Sequence, residues 1–171
     1  MAGMVRLAFA VRPPEAVRAV VAALPRPPLE RTTWSRPEQW IVKLRPLGHV
    51  APSLREPLLD AAGAALDGAP APVARLGPAT HRLAGQWLSV PVSGLDELAA
   101  EILVATEPLV PVTHPQPFRG ELVLARGRPP RELSGTAVAA SWRVTEVLLV
   151  ADHSSPRGPR LEDVGRIPLG E

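Results

Sequence analysis

Val5 to Val11 is a short apolar run rich in strand-forming residues, and the following "PPEAVRAVVAAL" sets a helix with proline near its first turn. Pro25 to Pro28 end that helix. From Trp40 to Arg45 the chain alternates, which predicts a strand with Trp40, Val42 and Leu44 toward the core and Ile41, Lys43 and Arg45 on the other face. Ser53, with Glu56 three residues on, has the pattern of a capping box and predicts a helix to about Leu66, closed by Gly68 and Pro70. Val73–Leu76 and Trp87–Val92 read as strands separated by a polar turn. "SGLDELAAEILVATEPL" is the clearest amphipathic helix, with Leu95, Leu98, Ile102 and Ala105 along one side and Pro108 and Pro111 stopping it.

Beyond the proline-broken "VPVTHPQP" lies a strand from Glu121 to Ala125, whose alternation sets Glu121, Val123 and Ala125 against Leu122 and Leu124. "SWRVTEVLLVA" reads as one strand, "DHSSPRGPR" as a loop and "DVGRIPLG" as the last strand. The order is roughly βαβαββαβββ, an α+β pattern in two similar halves within one domain spanning residues 1–171.

Composition narrows the chemistry. With 171 residues, 46% of them apolar, a substantial core is possible. The formal charge is only +2, so any anion site must be local. Cysteine is absent, which excludes disulfides, thiolate metal sites and thiol nucleophiles. No apolar run reaches the ~18 residues of a membrane span, and the N-terminal run is too short for a signal peptide, so a cytoplasmic protein without membrane contact is expected.

The four histidines, His49, His81, His114 and His153, stand more than thirty residues apart with no metal-binding pairing, and no metal or other cofactor is expected. Neither a P-loop nor a G-x-G-x-x-G frame occurs, and no G-x-S-x-G marks a serine nucleophile. The four tryptophans are read as packing residues. Arg126, Arg128 and Arg131 in "ARGRPPR" form either a phosphate-collecting set or a solvated turn.

Two stretches carry most of the functional information. "WSRPEQWIVKLRPLG" contains Lys43, the one lysine beside eighteen arginines, and "PFRGELVLARGR" contains Glu121 at a matching place. With "VRLAFAVRPPEAVRAVVAAL" at the start, they resemble the 2H phosphoesterase superfamily in its 2'-5' RNA ligase or RNA 2',3'-cyclic phosphodiesterase branch. The first resembles W-x-R-P-E-x-x-H-x-T-L-x-x-L-G and the second F-R-P-H-x-T-L-A-R; the likeness extends over nearly the whole chain. It implies two pseudo-symmetric lobes, each an antiparallel sheet with flanking helices, facing across a central cleft. In the family each lobe contributes one His-x-Thr strand, and the chemistry is metal-independent.

Here the flanks match, while Ile41 and Lys43 fall at the first His-x-Thr pair and Glu121 and Val123 at the second. Isoleucine cannot move a proton and valine cannot hold a phosphoryl oxygen, so the resemblance implies a protein without the paired-imidazole reaction. Two readings stay open. The leading one is a non-catalytic binder whose interlobe cleft, lined by Ile41, Lys43, Arg45, Glu121, Val123 and Arg126, takes a nucleotide, an RNA end, another phosphorylated small molecule or a protein partner. The other is a repurposed enzyme with Glu121 as base and Lys43 as electrostatic anchor, or with residual RNA 2',3'-cyclic phosphodiesterase activity. Two arrangements stay open for Lys43, an ion pair with Glu121 across the cleft or a donor set with Arg45 and Arg126 for an anionic ligand, and His49, beyond a proline and a glycine, and His114, before two prolines, are expected to lie outside the special strands.

Overall fold

A computed structural model describes residues 3–170. It contains ten strands and three α-helices among those residues, in the order β1 (Val5–Val11), α1 (Glu15–Ala22), β2 (Thr32–Trp34), β3 (Val42–Val50), α2 (Arg55–Ala65), β4 (Val73–Leu76), β5 (His81–Leu83), β6 (Trp87–Ser93), α3 (Asp96–Thr106), β7 (Glu121–Gly127), β8 (Ala140–Arg143), β9 (Glu146–Asp152) and β10 (Leu161–Pro168). The expected α+β class with two antiparallel sheets is what forms. One sheet has the strand order β10-β9-β1-β3, the other β2-β7-β6-β4-β8, with β5 added along β6.

The alternation of β1 shows how the first sheet divides its faces. Leu7, Phe9 and Val11 enter the main core, where they meet Val42 and Leu44 of β3 and Val17 and Val21 of α1. Ala10, between them, faces the other way and packs with Ile41, Leu148 and Val150 in a small second cluster. In the second sheet Leu88, Val90 and Val92 of β6 and Leu122 and Leu124 of β7 join the main core. The opposite face of β6 and β7 therefore carries Trp87, Ser89, Glu121 and Val123.

Several boundaries differ from the sequence reading, each for a local reason. β3 does not stop at Arg45 but runs through Pro46 and Gly48 to Val50, because bulges absorb the residues that break its alternation. His49 accordingly lies within the strand, opposite Arg6. Ser53 caps nothing: a 3-10 turn over Pro52–Leu54 leads into α2, which has no side-chain cap. On α3 the buried positions are Leu98, Ala99, Ile102 and Thr106, with Ala105 only partly covered. The stretch expected as one strand around Trp142 splits at Val144-Thr145 into β8 and β9, which belong to different sheets. β2 and β5, three residues each, are too short to show a period and become strands only by pairing with β7 and β6.

Candidate functional site

The register of β3 against β1 places the first set of expected site residues. Val42 lies opposite Val11 and Lys43 opposite Ala10, but the next pair is Arg45 with Phe9. Leu44 is the extra residue of a bulge, and the two residues of a bulge turn to the same side. Lys43 thus stays on the Ala10 face with Ile41, while Arg45 turns with Leu44 into the core face of Phe9. This corrects the expected placement of Arg45 in the cleft: it is 6% exposed, and one terminal nitrogen donates to Thr106 Oγ1 at 2.7 Å while the other donates to the Val110 carbonyl. Thr106 in turn donates its hydroxyl proton to the Ile102 carbonyl at 2.6 Å. Burial lowers the Arg45 pKa, and the charge of Glu107 acts the other way.

β7 repeats the device. Ser89 pairs with Val123 and Leu88 with Ala125, so Leu124 is the extra residue. Ala125 goes into the core with Leu124 rather than to the face of Glu121 and Val123, and Arg126 takes the place that alternation had assigned to Ala125. In the first strand the bulge removes an arginine from the non-core face; in the second it delivers one there.

Lys43 lies in a narrow hollow of about 80 Å³ lined by Arg6, Ile41, Val150, Asp152 and Leu161 among others. Burial lowers its pKa; the charges of Arg6 and Arg126 lower it further, and Asp152 opposes them. Burial alone would raise the Asp152 pKa, but hydrogen bonds from Ser154 and the charges of Arg6 and Lys43 outweigh it and hold the carboxyl below its usual range. Arg126 belongs to the second sheet, and its charge acts on Lys43 because β3 and β7 approach each other. Arg126 also borders a broad open hollow of about 650 Å³ with Arg31, Gln86, Arg128 and the partly exposed Trp87.

Glu121 does not pair with Lys43. Its Oε2 lies 2.8 Å from His81 Nε2 and 2.7 Å from Ser89 Oγ, and its Oε1 is 3.8 Å from an exposed Arg119 nitrogen. The fully buried Ser89 hydroxyl is also 3.1 Å from the Leu122 carbonyl. His81 was missed because β5 is a three-residue strand and its partner is forty residues away; no spacing rule reaches that far. The available signal was the short "HRLAGQWLSV" hairpin, which sets His81 opposite Ser89 and Ser89 opposite Val123 on one face. His114 lies exposed in the segment before β7. Among the described residues no group of three or more His, Asp and Glu side chains is placed to hold a metal ion, and no helix is long and apolar enough to cross a membrane.

No family model and no curated protein matches the chain. Solved structures do. TT0787 of Thermus thermophilus superposes with a TM-score of 0.82 at 25% identity, covering 96% of this chain and 97% of its own. The apo form of E. coli LigT gives 0.81 at 22% identity over 99% of each chain. A structure described as a phosphoesterase gives 0.83 at 22% identity over 98% of this chain and 99% of its own. LigT has also been crystallised with 3'-AMP, NADP+, ATP and phosphate. The chain therefore has the two-lobed 2H phosphoesterase fold of these proteins.

Proposed function

We propose that this protein binds a phosphorylated ligand, a nucleotide or an RNA end, between its two sheets, and that it does so without the two-imidazole chemistry of the 2H phosphoesterases. The motif resemblance in the sequence supports the second part: it sets Ile41 and Lys43 at one His-x-Thr pair and Glu121 and Val123 at the other. The reading is carried by Arg6 and Lys43 lining one hollow of the first sheet, with Arg126 on β7, the strand of the second sheet that approaches β3, near enough for its charge to act on Lys43. Arg6 and Lys43 share that hollow with one carboxylate, Asp152, the charge of Arg126 adds to theirs, and like charges brought together at a partly buried place are relieved by an anion. Arg126 supplies a planar fork suited to two phosphoryl oxygens, and Lys43 a point charge. That LigT takes 3'-AMP, ATP and phosphate supports this ligand class.

Calorimetric titration with 3'-AMP and with ATP tests it. The unmodified protein binds, with an affinity that falls as salt rises. Lys43→Ala and Arg126→Ala each weaken binding by about tenfold or more, equivalent to roughly 1.4 kcal/mol. Absence of binding by the unmodified protein, or equal binding by both variants, overturns the reading.

A further inference from the structure

The imidazole that meets a cleft carboxylate is supplied by neither special motif. His81 projects from β5 on the face shared by Ser89, Val123 and Glu121, with its side chain 32% exposed, while Glu121 is 13% exposed. A carboxylate only accepts hydrogen bonds, so the 2.8 Å contact puts the imidazole proton on Nε2. Ser89, donating to the same Glu121 oxygen, holds the carboxylate in place. Nδ1 has no hydrogen-bond partner among the described residues, and in this tautomer it carries the free lone pair. A carboxylate that orients an imidazole, leaving its second nitrogen free, is the arrangement of an oriented general base.

We propose that His81 is the proton-accepting group of this cleft, aimed by Glu121 and acting on a phosphodiester held by Lys43 and Arg126. The inference rests on the binding reading above. Nδ1 takes a proton from a water molecule while the water oxygen bonds to phosphorus. The bond from phosphorus to one ester oxygen breaks, that oxygen takes a proton from the Lys43 ammonium, and a phosphomonoester and a free hydroxyl result. The imidazolium then loses a proton to solvent and the Lys43 amine regains one. Partial burial beside Arg6 eases proton release from Lys43. Glu121 is a positioning residue in this scheme, not the base.

The test measures turnover of 2',3'-cyclic AMP and of bis(p-nitrophenyl) phosphate alongside 3'-AMP affinity. The unmodified protein hydrolyses at least one probe. His81→Gln lowers kcat by about 10² or more, with 3'-AMP affinity within twofold. Glu121→Gln lowers kcat with little change in KM, and Glu121→Asp restores part of the loss; a merely structural role would change KM or the melting temperature instead. Full turnover in His81→Gln, or no turnover by a protein that binds 3'-AMP, overturns this inference and leaves the binding reading standing. Failure to bind 3'-AMP and ATP overturns both.

Discussion

Lys43 and Arg45 sit two residues apart on one strand, yet Lys43 stays on the face of Ala10 beside a small hollow while Arg45 serves the core. Arg45 is turned inward and satisfied by Thr106 and Val110, so its guanidinium links β3 to the end of α3. Arg45→Met removes those bonds and leaves the Val110 carbonyl short of a donor, which costs about 2 kcal/mol. Urea unfolding measures that loss, and 3'-AMP affinity stays within twofold because the side chain is not in the cleft. Residue type alone did not distinguish the two cations. Lys43 was legible as unusual from the aligned motif, but the destination of Arg45 depended on a bulge that no residue pattern marks. Glu121 was legible as unusual in the same way, and its partner was not.

At the scale of elements, the two equivalent strands are built alike. Lys43 on β3 and Glu121 and Val123 on β7 are each followed by a bulge and then by a residue turned back to the opposite face. Strict alternation fails just past the bulge, which explains why Arg45 and Ala125 were assigned to the wrong faces while Ile41, Lys43, Glu121 and Val123 were not. The end of β7 is held by Gly127, whose φ is +114° and whose Cβ, if present, would lie 2.1 Å from the Arg31 carbonyl oxygen. Backbone cannot give way there without separating β2 from β7. Gly127→Ala is expected to destabilise the protein by on the order of 2 kcal/mol. Thermal unfolding checks it, and an unchanged melting temperature would show that the β2 edge is dispensable.

At the scale of the whole molecule, the first sheet is closed by a tie between segments far apart in the chain. Arg12, just past β1, makes a bidentate pair with Asp163 of β10 at 2.6 and 2.9 Å. The hydrogen bond and charge of Arg12, with help from Arg166, hold the Asp163 pKa below 3.8 despite partial burial. A depressed carboxylate contributes stability that is fully present above its unfolded value and is lost as pH falls through its folded value. Asp163→Asn therefore loses about 1 kcal/mol at neutral pH. The urea stability curves of the two proteins converge in acid below pH 3.8; parallel curves down to the acid transition would show that the pair contributes nothing. The amino-acid sequence by itself determined the long periodic elements, the α+β class and, through its two flanking motifs, the bilobed fold, because periodicity and motif spacing are local properties of the chain. Only the tertiary structure decided that Arg45 turns into the core, that Arg126 comes near enough for its charge to act on Lys43, and that Glu121 holds His81. Those outcomes follow from strand register and from neighbours forty or more residues apart, which depend on how sheets pair and not on any short run of residues.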